Sequence, residues 1–295
     1  MKNIQTFVET LGNIREGNTS AAKQGFETAF LAWLTAPQNL DYGQILKCSL
    51  ASSLEPFTEK LSIATGNTYF KNIDNTNLPE ADFVRFIQTP KSENTYPDAL
   101  LYIDKHRKEI SHIFNKIHNL KRSGWLARQV SRPESVAEHS FSLAVSALLL
   151  APQHINHSKI AAMALIHDIQ EISTGDYTLY DNISPQEKGR LELQAARQIS
   201  KMLHKPEMLE LFIEYEKSST PESRFVKDVD RLDAVLLAAY YDKHHRVPKP
   251  LLPEFIANAE KKYLGGYACE TVKNIYAYLK KEKIPTIYKS CANRE

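Results

Sequence analysis

The sequence is poor in the residues and runs that would fix its class at once. Its 295 residues include only three cysteines, Cys48, Cys269 and Cys291. The number is odd and no Cys-x-x-Cys pair occurs, which excludes a disulfide framework or a zinc ribbon as the organising element. A reducing compartment, the cytoplasm, is the expectation. No stretch approaches the roughly 18 consecutive apolar residues that span a bilayer. The most apolar run, "FSLAVSALLLAP", is too short and reads as a buried helix. The opening "MKNIQTFVETLGNIREGN" is broken by polar residues every few positions and lacks the apolar centre of a signal peptide. No membrane association is expected. An excess of charge of one sign is also missing. Lys and Arg total 37 against 35 Asp and Glu, a net charge of +2, so no broad attraction to nucleic acid follows. The basic cluster Lys243-His244-His245-Arg246 reads as a solvated helix end. Strand-like alternation, internal repeats and low-complexity segments are scarce or absent. Residues 1–97 contain no histidine and no glycine-rich phosphate loop. They are not expected to supply metal ligands, though they can cover a site.

What is present is helix. Hydrophobic residues make up 42% and charged residues 24% of the chain, as in globular domains. In "SAAKQGFETAFLAWL" Phe26, Phe30, Leu31 and Leu34 recur at helical spacing. "YGQILKCSLASSLEPFTEKL" follows as helix with a break at Pro56. "ATGNTYFKNIDNTNLPE" reads as a loop with a short strand at Tyr69-Phe70. A long amphipathic helix is predicted from Leu100 to about Leu120. "SKIAAMALIHDIQEI" is predicted as one helix capped by Asn156 or Ser158. Ser184, Pro185 and Glu187 form a capping-box pattern, and Thr220-Pro221 starts a later helix. The fold class is all-α, divided into a mainly helical region at 1–97 and a second domain at 98–295 with its core at 120–244.

Four polar residues stand out: His139, the adjacent His167-Asp168, and Asp230. Two imidazoles and two carboxylates suit one divalent transition metal. The plainer alternative makes His167 a satisfied core histidine and Asp168 a salt-bridge partner. However, "MALIHDIQE" places both directly after a buried apolar stretch, where unpaired burial would cost several kcal/mol, on the order of 2–7. Glu171 lies four residues after His167, one turn on along a helix. Asp176 follows Gly175 at a helix exit, and by itself reads as a turn-former.

The segments "RPESVAEHSFSLAV", "AAMALIHDIQEISTGD" and "RFVKDVDRLDAVLLA" together resemble the HD-domain metal-dependent phosphohydrolases, and within them the 5'-deoxynucleotidase branch. The resemblance covers about Leu120 to His244. It implies a helical bundle in which His139, His167, Asp168 and Asp230 hold one ion of Co, Mn, Fe, Zn or Ni. It places the last ligand three residues after Lys227, so Asp230 is preferred over Asp228 and Asp233, which become surface groups or outer neighbours of the ligands. It implies that Glu171 and Asp176 handle protons and position the attacking water. In "KRSGWLARQV" it points to Arg122 and Trp125 as substrate contacts, although a core position suits Trp125 equally well. Arg128 is a second candidate. Thr178, in "YTLYDN", can contact phosphate, but Tyr177 and Tyr180 depart from the branch and put its sugar and base preference in doubt. HD proteins with two metals carry additional histidines between the His-Asp pair and the last Asp. Here only His204 lies in that interval, and a single metal is expected. The implied reaction is hydrolysis of a (deoxy)nucleoside 5'-monophosphate, with a nucleotide as the small-molecule partner and a homodimer as an expectation by analogy. The alternatives are an HD phosphohydrolase of a nucleoside triphosphate or alarmone, or a nucleotide- or partner-binding module on an HD scaffold.

Overall fold

Side-chain caps begin most of the helices that matter to the site. A computed structural model describes residues 3–17, 20–67, 69–70, 79–89, 96–177, 181–263 and 270–281. In the N-terminal region α1 (Ile4–Ile14) is capped by Asn3, α2 (Ala21–Thr35) by Ser20 and α3 (Tyr42–Leu54) by Asp41, each side chain accepting a backbone N–H of the first turn. They are followed by α4 (Thr58–Thr65), α5 (Pro79–Gln88) and α6 (Pro97–Lys105). Next come α7 (Arg107–Asn119), the single turn α8 (Ser123–Leu126), α9 (Val136–Leu150), α10 (His157–Ile166) and the single turn α11 (Glu171–Thr174). The chain closes with α12 (Pro185–Met202), α13 (Pro206–Lys217), α14 (Pro221–Lys243), α15 (Leu252–Tyr263) and α16 (Glu270–Lys281). Among the described residues there is no strand, only an isolated antiparallel bridge between Lys121 and Ser135. The all-α expectation holds, and no described helix is long and apolar enough to cross a membrane.

The centre of the bundle is α9. Each of its residues from Val136 to Leu150 is buried, the behaviour of a helix that is apolar all round and enclosed by others. It starts with a capping box in which Ser135 and Glu138 exchange hydrogen bonds. Helices α10 and α14 pack against it from the C-terminal side and α2 from the N-terminal side.

Two glycines permit the N-terminal helices to approach that closely. A Cβ on Gly25 of α2 would lie 2.1 Å from the Phe141 ring of α9, and a Cβ on Gly12 of α1 would lie 2.1 Å from the Tyr240 ring of α14. Each helix backbone therefore rests directly on an aromatic ring. Tyr240 adds a hydrogen bond from its hydroxyl to Asn13, and Arg246 pairs with Glu16 at 2.6 Å. One hydrophobic cluster runs from Phe7 and Phe26 through α9 and α14 to Leu279.

Several local expectations are corrected. The helix predicted over Leu100–Leu120 is two, broken at His106, whose buried ring packs on Tyr102 and His204. Tyr69 and Phe70 form a turn, not a strand. Asn156, not Ser158, caps α10. At α12 Ser184 caps the Glu187 N–H, but Glu187 does not reciprocate and pairs with Arg190. Of the three cysteines, Cys269 and Cys291 lie outside the described residues; Cys48 is buried, and burial pushes its thiol up to about 11.

Candidate metal centre

The run predicted as one helix through the His-Asp pair ends its α-helical part at Ile166. Beyond it the backbone tightens. The N–H of Ile169 reaches the Ile166 carbonyl, that of Glu171 the Asp168 carbonyl and that of Ile172 the Ile169 carbonyl. Such i→i+3 bonds stack residues three apart over one another, so Glu171 stands over Asp168 rather than one α-turn beyond His167. The interruption is anchored by His167 itself, whose Nδ1 lies 2.8 Å from the Ala164 carbonyl. That carbonyl can only accept, so Nδ1 carries the proton and Nε2 presents its lone pair.

His139 is oriented in the same sense. On α9 its Nδ1 lies 3.0 Å from Asp233 Oδ2, while its Nε2 lies 3.1 Å from Asp230 Oδ1. Asp230 and Asp233 are three residues apart on α14 and share a face, so a single helix contacts both nitrogens of one imidazole. The His139 and His167 rings are 5.2 Å apart between centroids. His167 Nε2 is 3.1 Å and His139 Nε2 is 3.9 Å from Asp168 Oδ2. One ligand atom each from His139, His167 and Asp168 falls within a 4.8 Å cluster, and Asp230 adjoins it through His139. Both histidines are 1% exposed, and neither Nε2 has a hydrogen-bond partner. Two buried, unpartnered imidazole nitrogens facing two carboxylates constitute a donor set that fits a divalent transition metal.

The surrounding charges are arranged to keep the carboxylates ionised. Burial alone would raise Asp168, but His167, Arg122 and His139 hold it well below the usual carboxylate range. Asp230 is likewise held low against burial by the adjoining His139 and by the charges of His167 and Arg122. For His139, burial and Arg122 push downwards, and the adjoining carboxylates of Asp230 and Asp233 raise it to about 9. Glu171 behaves oppositely: burial, Asp168 and Asp176 drive it far above its ordinary value. Its side chain is 6% exposed by residue, and Oε2 has no hydrogen-bond partner.

The remaining residues singled out from the sequence divide. Arg122 reaches the centre, with Nη1 2.7 Å from Asp168 Oδ2 and its side chain 21% exposed. Asp176 accepts the Ser123 backbone N–H at 2.6 Å, tying the segment after α11 to the start of α8. Trp125 does not reach the centre. It is buried, stacks on Phe255 at 4.7 Å and donates its indole N–H to Glu134. The ring is buried and its one donor is engaged, the core position that the sequence also allowed. Arg128 is engaged with Glu254 and the Gly124 carbonyl. Thr178 and Tyr180 lie outside the described residues. Asp228 pairs with Arg231, and His204 packs on His106 at the end of α12.

Three participants were not singled out beforehand. Tyr215 of α13 donates its hydroxyl to Asp230 Oδ2 at 3.1 Å and packs edge-on against His167. Burial and the charges of Asp230 and Asp168 keep it a phenol. Lys188 of α12 hydrogen-bonds the Tyr177 carbonyl and draws Glu171 downwards. Arg15, from the C-terminal cap of α1, contacts both Asp233 oxygens at 2.6 and 2.5 Å and Glu134 at 2.8 Å. Glu134, His139 and Asp233 form a second cluster of ligand type, but the Arg15 guanidinium already occupies it as the cation. The sequence signal for Tyr215 was its place in "EYEK"; nothing near Arg15 marked it.

The HD domain family model matches residues 114–266. The 5'-deoxynucleotidase HDDC2 of Homo sapiens is 34% identical over 152 residues, covering 50% of this chain and 74% of that protein. The 5'-deoxynucleotidase hdd1 of Schizosaccharomyces pombe is 33% identical over 144 residues, covering 46% of this chain and 73% of that protein. Among solved structures, a protein from Pyrococcus horikoshii OT3 aligns with a TM-score of 0.48 at 28% identity, covering 59% of this chain and 97% of the other. The matched family segment spans more than half of the chain and contains His139, His167, Asp168 and Asp230; the chain belongs to the HD-domain family.

Proposed function

We propose that this protein is a metal-dependent phosphomonoester hydrolase releasing phosphate from (deoxy)nucleoside 5'-monophosphates. The observation that carries the reading is the pair of buried Nε2 atoms of His139 and His167, which face Asp168 and Asp230 without hydrogen-bond partners. These four residues would hold one divalent transition metal per chain. When bound, such an ion polarises a phosphoryl oxygen and lowers the pKa of water towards about 7. The engagement of His204 with His106, away from the four residues, supports a single ion.

The chain's own groups account for the rest. Arg122 stands at the partly exposed edge with a planar fork suited to phosphate oxygens. On binding, a phosphate would share that guanidinium with Asp168. Glu171 is buried and favours its protonated form, so it can give a proton to the departing 5'-oxygen or orient water through its free oxygen. Asp176, fixed by the Ser123 N–H, closes the same edge as an acceptor. Support for a deoxyribose comes from the relatives named 5'-deoxynucleotidase. It does not come from Trp125, which is inside the core. A cytoplasmic homodimer completes the proposal by analogy.

The test is a panel of deoxy- and ribonucleoside 5'-monophosphates assayed with added Co, Mn, Fe, Zn or Ni and with chelator. Phosphate release that chelator abolishes is expected. Deoxynucleotides should be favoured by roughly 5- to 150-fold in kcat/KM, the equivalent of about 1–3 kcal/mol for an unpartnered 2'-hydroxyl. Equal rates on dAMP and AMP would remove the sugar preference. Release of pyrophosphate or triphosphate from a nucleoside triphosphate would replace the substrate class.

A further inference from the structure

Arg15 lies almost a hundred residues before the segment matched by the HD family, yet it stands two contacts from a metal-site histidine. Its side chain is 3% exposed. Both Asp233 oxygens face its Nη2, and its Nε faces Glu134 Oε2. A third hydrogen bond runs from Nη1 to the Leu11 carbonyl of its own helix, at 3.2 Å. The guanidinium is therefore fixed at both ends, by α1 on one side and two carboxylates on the other. Asp233 cannot rotate without losing one of these bonds, and Asp233 Oδ2 is the acceptor that sets the His139 ring. Glu134 is held in turn by the Trp125 indole N–H on its other oxygen. The arrangement leaves Asp233 a narrow range of orientations, and with it the direction of the His139 Nε2 lone pair.

We infer that Arg15 is a positioning residue for the metal centre: the N-terminal region contributes an arginine that locks Asp233, and through it His139, into the ligating geometry. Outer partners of metal-bound histidines typically change affinity by about 10- to 100-fold when removed. Arg15 acts one contact further out, where its guanidinium bridges Asp233 and Glu134. This assignment rests on the metal-site reading given above. It differs from simple docking of α1, which Phe7, Leu11 and Gly12 already provide through apolar contact. Lysine is not equivalent, since a single ammonium cannot present two edges to two carboxylates.

The experiment measures Co affinity of the full-length protein by chelator competition and by the visible absorption of bound Co, with far-UV circular dichroism as a check on folding. Arg15→Met and Arg15→Lys are compared with Phe7→Ala, which loosens α1 without touching the carboxylates. The expected result is a tenfold or larger loss of Co affinity in Arg15→Met, a smaller loss in Arg15→Lys with an altered Co spectrum, and no more than a threefold change in Phe7→Ala. Should Arg15→Met fail to fold, Arg15→Lys decides, with a fivefold loss expected. Affinity within threefold of wild type in a folded Arg15 variant overturns the inference. So does a loss in Phe7→Ala that matches that of the Arg15 variants, or failure of both Arg15 variants to fold, either of which assigns Arg15 to architecture alone. Absence of Co binding in the wild-type protein would instead defeat the metal-site reading itself.

Discussion

The region up to residue 97 and the HD segment contribute to the same core by different chemistry. The HD segment brings polar groups inside and pairs several of them with one another: His139 Nδ1 with Asp233, Tyr215 with Asp230, Arg122 with Asp168. The N-terminal region brings mainly apolar side chains such as Phe7, Phe26 and Phe30, close backbone approaches at Gly12 to Tyr240 and at Gly25 to Phe141, and the buried cation Arg15. The contrast shows that a region without ligands can still determine how rigidly ligands are held. It also separates two kinds of damage, to chemistry and to support, which mutation can distinguish.

The largest effect should arise within the HD segment. Glu171→Gln removes the proton while preserving size, and turnover is expected to fall by about 100- to 10,000-fold. Elemental analysis should still find metal in the variant, since Glu171 is placed over Asp168 and outside the ligand cluster. Retained turnover would take Glu171 out of the mechanism.

A smaller effect belongs to the other region. Gly25→Val must push α2 away from the Phe141 ring. Overpacking of this kind costs about 1–3 kcal/mol, read as a lower midpoint in urea unfolding. The metal centre should survive, with unchanged metal content at low denaturant. Loss of metal without loss of stability would show that α2 reaches the chemistry directly.

The smallest effect lies at the seam between the two. His118 of α7 sits edge-on to Phe26 of α2, and Glu27 Oε1 is 3.2 Å from its Nε2. Burial, followed by the charges of Lys23 and Lys121 and opposed by Glu138, lowers His118 to about 4. Burial also raises Glu27. Above the ordinary histidine value near 6.5, folded and unfolded chains are both neutral here. As pH falls from there towards 4 only the unfolded chain gains the proton, and stability declines; below 4 both carry it and the decline stops. The loss due to this residue between pH 7.5 and pH 6 should be about 1 kcal/mol. His118→Gln should flatten that part of the stability profile, and an unchanged profile would place the acid sensitivity elsewhere.

How much of this could be read from sequence depended on whether a residue's role was local. The ligand candidates were legible because two imidazoles and two carboxylates in apolar helices are costly unless they converge, and the structure brings His139, His167, Asp168 and Asp230 to one place. The Thr220-Pro221 start was legible because a cap acts within four residues. The Ser135 to Glu138 box carried the same signal in "ESVAEH". The exit from α-helix after Ile166 was not legible, because apolar periodicity does not distinguish i→i+4 from i→i+3 bonding over one turn. Trp125 left its two readings balanced, and its packing against Phe255 spans 130 residues of sequence, beyond any local pattern. Asp233 looked like a neighbour of the ligand, and its buried contact with Arg15 spans 218 residues of sequence. No local pattern records a partner at that separation.

The complete enclosure of α9 bears on how this chain can change over time. A helix with one wet face can accumulate substitutions along that face at little cost. From Val136 to Leu150 there is no such face, so every one of its positions answers to a neighbour, and even its serines at 140, 142 and 146 are surrounded. Neutral drift is thereby excluded from the element that carries His139 and redirected to the outer helices, such as α12 with its exposed Glu187 and Arg190. A shortened descendant lacking α1 and α2 would have to repaint one side of α9 with polar residues. The presence of α2 thus constrains the sequence of a helix more than a hundred residues away.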